Sequence, residues 1–267
     1  MVSKFLKDIL VAKKKGLKDI KLSGPADRSD LNRKGFINNI SPGRINIIAE
    51  IKKASPSRGI INGDLDVAEA AAIYNKYRSF ISGLSVLTEE LYFKGKKTDI
   101  ALAKTGTALP VLRKDFIISK KQVYESAELG ADCILLISSL LSYDKLKKLY
   151  KCAMGIGIDV LVETHYRQEL IHALDMGAEM IGINNRDLKK MRVDSSHIMD
   201  LLEDIPSDDL EGKIIICESG VDSSEYIERL YGMGVNTFLI GTHFMKSREP
   251  DNTLSEFENE LKRRNLI

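Results

Sequence analysis

The stretch from residue 47 to residue 61 reads IIAEIKKASPSRGII, and the turn after its first strand decides between two α/β folds. Its first half alternates like a strand: Ile48, Glu50 and Lys52 point to one side, and the residues between them point to the other. Such a strand could hold its charged side chains in water, or in a cavity that supplies partners for them. A doubly wound sheet would place a glycine-rich phosphate-binding turn after this strand. This chain has SPSRG there instead, and it contains neither GxGxxG nor GxxxxGK[ST].

Short apolar runs rich in β-branched residues recur along the rest of the chain. Stretches with helical periodicity separate most of them, and another follows the last. This alternation predicts βαβ units and a parallel sheet. The eight predicted strands, including the first, cover residues 45–51, 83–87, 110–113, 132–138, 159–163, 180–184, 213–218 and 237–241.

Three of the predicted helices end in the same way, with a glycine shortly before a strand. Gly130, Gly177 and Gly234 fit the left-handed position that terminates a helix. Eight strand–helix units in about 220 residues match an α/β fold of the (β/α)8 TIM-barrel type rather than an open sheet. We therefore expect a single TIM-barrel domain over residues 1–267, with an N-terminal helical extension over residues 1–44. That extension should contain a helix over about residues 4–20 and a short helix near the sequence FINNI.

The composition is that of an ordinary globular protein without a marked charge. Of the 267 residues, 43% are hydrophobic and 29% are charged, and the formal net charge is +2. Neither nucleic acid nor a membrane is therefore an expected partner, and the sequence shows no secretory leader or long apolar run. Three cysteines without CxxC spacing predict no disulfide and a cytoplasmic location. The four histidines show no paired-ligand spacing, so no metal site is expected.

Charged and amide residues lie where five of the predicted strands end. In a barrel these ends form the active face, and their inward side chains share one cavity. Burying a charge is costly unless it is paired, so a purely structural core would not collect so many. The strand-end residues are Glu50 and Lys52 (strand 1), Lys114 (strand 3), Glu163 (strand 5), Asn184 (strand 6) and Glu218 (strand 7).

The ends of strands 7 and 8 carry a second signal, namely glycines at the place where barrels often bind phosphate. Backbone N–H groups and the start of a short helix supply such a site. Ser219 and Gly220 follow strand 7, and Gly241 and Thr242 follow strand 8. Lys52 could reach the same phosphate from across the barrel. Plain turn glycines are the alternative.

Sequence blocks at every predicted strand also match the pattern of one known family. The blocks are AEIKKASPSRGII (49–61), SVLTEELYFKG (85–95), LPVLRKDFI (109–117), GADCILLI (130–137), LVETH (161–165), IGINNRDL (181–188), ESGV (218–221) and LIGTHFM (239–245). Together they resemble the indole-3-glycerol phosphate synthase family of tryptophan biosynthesis. The resemblance implies a carbon–carbon carboxy-lyase that needs no metal or organic cofactor. Its substrate would be 1-(2-carboxyphenylamino)-1-deoxyribulose 5-phosphate, and its products indole-3-glycerol phosphate, CO2 and water.

The resemblance also implies catalytic roles. Ring closure needs a proton for the ketone oxygen, and Lys114 matches the family's general acid. Glu163 matches the general base of the dehydration. Lys52 is a candidate acid of that dehydration and a phosphate contact, and Glu50 matches a glutamate that positions the lysines. How the acid and base roles divide among these four residues stays open.

Other residues match the parts of the family pattern that hold the substrate. Asn184 and Glu218 would orient the ribulose hydroxyl groups and the reacting centre. Arg186 would border the anthranilate part of the substrate, or else pair with Asp187. Core packing is an equal alternative for Phe93. The remaining binding residues are Ser55, Ser57, Phe93, Phe116, Ser219, Gly220, Gly241 and Thr242.

Two other functions compete with this one. Phosphoribosylanthranilate isomerase, on the same fold, needs a Cys/Asp-type acid–base pair, and Cys217 is the candidate, although it should point away from the side of Glu218. A barrel that only binds a phosphorylated ligand would be expected to lack Lys114 or Glu163. The expected partner is a small phosphorylated substrate, and other enzymes of the tryptophan pathway are candidate protein partners.

Overall fold

Eight parallel strands close into a barrel in which each strand pairs with its neighbours in the sequence and the first pairs with the last. This computed structural model describes residues 4–22, 35–188, 191–245 and 249–267. The predicted TIM barrel is confirmed, and the strand boundaries lie within one or two residues of those expected. The strands are β1 (Asn46–Ile51), β2 (Ile81–Leu87), β3 (Val111–Lys114), β4 (Cys133–Ile137), β5 (Asp159–Thr164), β6 (Met180–Asn184), β7 (Ile214–Glu218) and β8 (Thr237–Ile240).

Helices alternate with the strands, as the sequence pattern predicted. The first helix ends at Gly16 rather than near residue 20. A 3-10 helix over Ile37–Asn39 lies at the expected short helix. None of the helices described has the length and hydrophobicity that crossing a bilayer requires. The α-helices are α1 (Lys4–Gly16), α2 (Val67–Lys76), α3 (Asp99–Gly106), α4 (Lys120–Glu128), α5 (Tyr143–Gly155), α6 (Arg167–Asp175), α7 (His197–Glu203), α8 (Ser207–Leu210), α9 (Ser224–Tyr231), α10 (Thr242–Met245) and α11 (Pro250–Arg263).

Local sequence signals explain where several helices begin and end. The side chains of Asp66, Ser119 and Ser223 accept hydrogen bonds from backbone N–H groups in the first turns of α2, α4 and α9. The three glycines predicted to terminate helices are left-handed, with φ between 78° and 89°. Each one ends its helix a few residues before the next strand, which keeps these turns short.

The alternation of β1 separates two apolar layers of the barrel wall. Ile47, Ala49 and Ile51 pack in the layer beneath the helices. Ile48 packs with the apolar residues of the barrel interior. Glu50 lies two residues further on, points the same way as Ile48, and is only 6% exposed. The charges of this strand therefore lie in the barrel mouth, and the alternative of a strand with its charges in open water is wrong.

The N-terminal extension contacts both ends of the barrel. Lys13 of α1 pairs with Asp115, which directly follows β3, at 2.5 Å. At the opposite end, the N–H group of Ile37 donates a hydrogen bond to Asp159, the first residue of β5, at 2.9 Å. The extension therefore packs on the same barrel that carries the site. The organisation of residues 1–267 as one domain stays a prediction.

Candidate active site

All fifteen residues that the sequence predicted for the site line one cavity at the carboxyl ends of the strands. The cavity has a volume of about 420 Å³, which lies in the range of small-molecule sites. Its polar lining comes from different sides of the barrel, so that opposite charges converge. The residues are Glu50, Lys52, Ser55, Ser57, Phe93, Lys114, Phe116, Glu163, Asn184, Arg186, Glu218, Ser219, Gly220, Gly241 and Thr242.

Lys114 lies at the centre of a buried charge cluster. Its Nζ atom is 3.1 Å from Oε2 of Glu163, and it forms a second ion pair with Oε2 of Glu218. The side chains of Glu163 and Glu218 are 3% and 1% exposed, and that of Lys114 is 13% exposed. Strands β3, β5 and β7 thus place one cation between two carboxyl groups that have little access to water.

Burial and charge act in opposite directions on these three groups. Burial would lower the pKa of Lys114, but the carboxylates of Glu218, Glu163 and Glu50 outweigh it and raise that pKa. Burial would raise the pKa of Glu163, but Lys114 and His165 hold it below its ordinary value. Burial raises the pKa of Glu218 to about 8, against the attraction of Lys114. Near neutral pH the cluster therefore combines an ammonium group, a carboxylate and a carboxyl group that can exchange its proton.

A second ion pair joins Glu50 and Lys52 at the end of β1. Gly241, directly after β8, makes room for both side chains. A Cβ atom at Gly241 would lie 2.2 Å from Oε2 of Glu50 and 2.9 Å from Nζ of Lys52. This glycine therefore has a packing role, and the ammonium group of Lys52 lies next to one of the predicted phosphate-binding positions.

The other predicted phosphate-binding residues lie on the same side of the cavity. Ser219 and Gly220 are both left-handed, with φ of 66° and 74°. A left-handed residue other than glycine costs about 1–3 kcal/mol and is concentrated at functional sites. Thr242 begins the four-residue helix α10. The turns after β7 and β8 thus follow the ends of two paired strands and line the same cavity as Lys52.

Arg186 joins two loops at the cavity mouth. Its Nη1 atom is 3.5 Å from Oγ of Ser57 and donates to the carbonyl oxygen of Met191 at 3.3 Å. Ser57 lies in the turn of a small hairpin that pairs Ala54–Ser55 with Gly59–Ile60. The loops after β1 and β6 are therefore held against each other over the cavity.

Three phenylalanines form an apolar part of the cavity, and one of them was not predicted. The ring centroids of Phe93 and Phe116 lie 6.5 Å apart. Phe5 of α1 approaches them edge-on, at 6.4 Å and 6.1 Å respectively. Phe5 was not predicted because it precedes the barrel, and the one sequence signal for it is the helical spacing of Phe5, Leu6 and Ile9. The extension thus contributes directly to the cavity.

Comparison with known proteins identifies the family. The sequence profile named "Indole-3-glycerol phosphate synthase" matches residues 6–257. The chain belongs to the indole-3-glycerol phosphate synthase family. A synthase of that name from Caldanaerobacter subterraneus subsp. tengcongensis is 46% identical over 81% of this chain and 82% of its own length. Another, from Acetivibrio thermocellus, is 43% identical over 89% of this chain and 88% of its own length.

Solved structures outside this family support the fold alone. A 3-hexulose-6-phosphate synthase from Salmonella typhimurium has a TM-score of 0.61 at 12% identity, covering 81% of this chain and 98% of its own. The KGPDC structure from Streptococcus mutans has a TM-score of 0.60 at 15% identity, covering 82% of this chain and 98% of its own. At such low identity these neighbours say nothing about the substrate.

Membership of the indole-3-glycerol phosphate synthase family agrees with the position of Cys217, the residue on which the isomerase alternative depends. Cys217 is fully buried and packs in the apolar layer outside the barrel wall. Burial raises the pKa of its thiol to about 12. Its neighbour Glu218 faces the cavity, as the alternation along β7 predicts. Cys217 is therefore poorly placed for acid–base chemistry.

Proposed function

We propose that the chain converts 1-(2-carboxyphenylamino)-1-deoxyribulose 5-phosphate into indole-3-glycerol phosphate, CO2 and water, as a carboxy-lyase of tryptophan biosynthesis. Family membership supports the reaction. The observation that carries the residue assignment is the position of Lys114 between Glu163 and Glu218. It brings a proton donor and a proton acceptor to one reacting centre.

In the first step, Lys114 acts as the general acid. The ring carbon that bears the carboxylate attacks the ketone carbon, a C–C bond forms, and the ketone oxygen takes a proton from the ammonium group. The carboxylate then leaves as CO2, and its bonding electrons restore the aromatic ring. Lys52, the partner of Glu50, is the alternative acid in this step.

In the second step, Glu163 acts as the general base. It removes a proton from the carbon beside the nitrogen, while the hydroxyl group formed in ring closure takes a proton and leaves as water. Glu218 or Lys52 supplies that second proton. Over both steps the enzyme donates two protons to the substrate and removes one from it. Each turnover therefore consumes one proton from solvent.

The rest of the cavity fixes the substrate. Phe93, Phe116 and Phe5 form an apolar surface for the aromatic ring, with Arg186 at its border. The backbone near Gly220 and Gly241, with Thr242, Ser219 and Lys52, binds the phosphate. Asn184 orients the ribulose hydroxyl groups, and Ser55 and Ser57 close the mouth. These contacts hold the reacting carbons near Lys114.

The direct test is turnover of the proposed substrate by the purified wild-type protein. Formation of the indole ring would be followed by fluorescence, and the background is low because the chain contains no tryptophan. We expect fluorescence to rise together with the release of CO2. A protein that is folded by circular dichroism and gives no product would contradict the proposal. That result would favour a barrel that binds a phosphorylated ligand without catalysis.

Gly182 gives the first mutational prediction, because it leaves space for the carboxyl group of Glu218. A Cβ atom there would lie 2.1 Å from Oε1 of Glu218. We expect Gly182→Ala to move Glu218 away from Lys114 and to lower kcat by about 10²-fold, the loss that a displacement of about 1 Å can cause. Steady-state kinetics measure the effect. Gly155→Ala is the matched control, since nothing in the described part of the chain, apart from its own helix backbone and chain neighbours, lies within 4 Å of the added Cβ. Equal kinetics for both variants would contradict this role of Gly182.

Phe5 gives the second mutational prediction, because the N-terminal extension contributes it to the cavity. Phe5→Ala removes one side of the aromatic surface, and we expect KM to rise about threefold to tenfold, the worth of one aromatic contact. The value of kcat should change little, because Phe5 carries no group that can transfer a proton. Val11→Ala on the same helix is the control, since Val11 is 67% exposed. An unchanged KM in Phe5→Ala would exclude contact with the substrate.

The reaction needs no metal or organic cofactor, because the side chains of the cavity supply the proton transfers. The protein works in the cytoplasm, which agrees with three free cysteines. Other enzymes of tryptophan biosynthesis are its candidate protein partners.

A further inference from the structure

A buried histidine lies directly behind Glu163. His165 is 3% exposed, and its Nε2 atom lies 3.4 Å from Oε1 of Glu163. The other oxygen of that carboxylate, Oε2, contacts Lys114. The two oxygens of Glu163 therefore face two different basic groups, one at the cavity and one in the barrel wall.

Neighbouring elements hold His165 from its other sides. Its Nδ1 atom lies 3.8 Å from Oε2 of Glu169 on α6, and its backbone N–H donates to the same oxygen at 2.8 Å. Its carbonyl oxygen contacts Nε2 of His197 on α7 at 2.7 Å. Glu218 on β7 adds a more distant negative charge when it is ionised. The ring thus has carboxylates near both nitrogens.

These surroundings favour the protonated imidazole. Within the described part of the chain, neither ring nitrogen has a well-aligned hydrogen-bond partner. A neutral ring would leave these polar atoms unsatisfied, at about 1–3 kcal/mol each, whereas a charged ring is attracted by Glu163 and Glu169. Burial would lower the pKa of His165, but these two carboxylates outweigh it and raise that pKa.

The charge balance of the cavity points in the same direction. Glu50 and Glu163 face the ammonium groups of Lys52 and Lys114, and Glu218 adds a negative charge when it is ionised. The guanidinium groups of Arg58 and Arg186 also line the cavity. The proposed substrate adds a carboxylate and a phosphate. A positive charge behind Glu163 offsets part of the negative charge that the substrate brings, and it takes no space from the substrate.

We propose that His165 is a positioning residue that keeps the carboxylate of Glu163 ionised and turned toward Lys114. This inference rests on the proposed function, in which Glu163 is the base of the dehydration. Once Lys114 has given its proton to the substrate, it no longer acts as a counter-ion. The imidazolium of His165 remains, so Glu163 neither takes up a proton early nor turns away before the second step.

His165→Gln tests the proposal by removing the charge while keeping a polar side chain. We expect kcat to fall about tenfold to a hundredfold, with KM changed by less than about threefold. The acidic limb of the kcat profile should move to higher pH, because Glu163 loses a positive neighbour and its pKa rises. His172→Gln is the matched control, since His172 packs against Tyr143 on the outside of the barrel, and its pH profile should equal that of the wild type.

Glu169→Gln tests the positive charge of His165 by removing the carboxylate near its Nδ1 atom. This test does not depend on whether His165→Gln folds. Without Glu169, the imidazolium of His165 loses its proton at a lower pH, so activity should fall first at the alkaline end. The double variant His165→Gln/Glu169→Gln should have the same kcat as His165→Gln alone, because both changes act through one charge. Additive losses would contradict that shared route.

The outcomes separate this inference from the proposed function. If His165→Gln and Glu169→Gln lower only the thermal stability and keep the pH profile of the wild type, the positioning role is overturned. His165 is then a structural residue. Absence of turnover in the folded wild type would overturn the proposed function instead. Turnover in the wild type, together with the expected shifts of both pH profiles, supports both.

Discussion

Lys114→Met is expected to lower kcat for indole-3-glycerol phosphate formation by about 10²- to 10⁴-fold, the range of general acid–base catalysis. Methionine is similar in length but carries no proton for the ketone oxygen. KM should change much less, because the aromatic surface and the phosphate contacts remain. Indole fluorescence at saturating substrate measures the loss. Lys76→Met is the matched control, because Lys76 forms an exposed ion pair with Asp251 at the surface.

Lys52→Met decides between the two lysines of the cavity. If Lys52 binds phosphate, its replacement raises KM and leaves kcat nearly unchanged. If Lys52 is the acid of ring closure, its replacement lowers kcat, and Lys114→Met retains turnover. Retained turnover in Lys114→Met would therefore contradict our assignment and transfer the acid role to Lys52.

The buried charges that Lys114→Met leaves behind need their own control. Lys114→Met leaves the buried carboxyl groups of Glu163 and Glu218 without their shared cation, which destabilises a fold. The double variant Lys114→Met/Glu218→Gln removes one of those charges. If Lys114→Met is folded by circular dichroism and is no less stable than the double variant, yet is inactive, the missing proton donor explains the loss, and unfolding does not.

The position of the site could be predicted from the sequence because strand geometry is periodic. Side chains two residues apart on a strand share a face, so Ile48 in the interior implies that Glu50 points inward as well. Parallel strands also end at one rim, which brings Lys114, Glu163 and Glu218 together. These inferences need no knowledge of side-chain conformation, and the cavity lining agrees with them.

The remaining features depend on contacts between distant parts of the chain. Phe5 reaches the cavity only because α1 packs over the barrel mouth, and no periodicity specifies that position. Gly182 makes room for Glu218 because β6 and β7 pair in a register that places Asn184 opposite Glu218. His165 lies in the sequence block LVETH, but its relation to Glu163 depends on the conformations of both side chains. Long-range packing, and not local propensity, therefore sets these details.

Asp115→Asn is expected to lower the free energy of unfolding by about 3–5 kcal/mol, the scale for breaking a buried ion pair. The carboxylate of Asp115 is fully buried and contacts Nζ of Lys13 at 2.5 Å and Nη2 of Arg113 at 3.0 Å. It also accepts a hydrogen bond from Thr88 at 2.8 Å. An asparagine keeps the shape but leaves the buried guanidinium of Arg113, whose side chain is 1% exposed, with one carboxylate fewer. The pair with Lys13 also ties α1 to the segment that carries Lys114, so this loss loosens both.

The pH dependence of that loss separates charge from packing. Burial would raise the pKa of Asp115, but Arg113 and Lys13 lower it to about 2 from its ordinary value of 3.8. Because the folded-state pKa is depressed, the stabilisation is complete above about pH 4 and disappears as pH falls toward 2. The shift corresponds to a pH-dependent part on the order of 2 kcal/mol.

Urea unfolding of the wild type and Asp115→Asn should therefore show a constant difference between pH 5 and pH 8 that narrows below about pH 4. Asp251→Asn at the exposed pair with Lys76 is the control and should show a much smaller difference at neutral pH. A difference for Asp115→Asn that stays constant down to pH 3 would mean that hydrogen bonding and shape, rather than charge, hold α1 against β3. In that case Lys13→Met should leave the free energy of unfolding nearly unchanged. The charge explanation instead requires Lys13→Met to lower it.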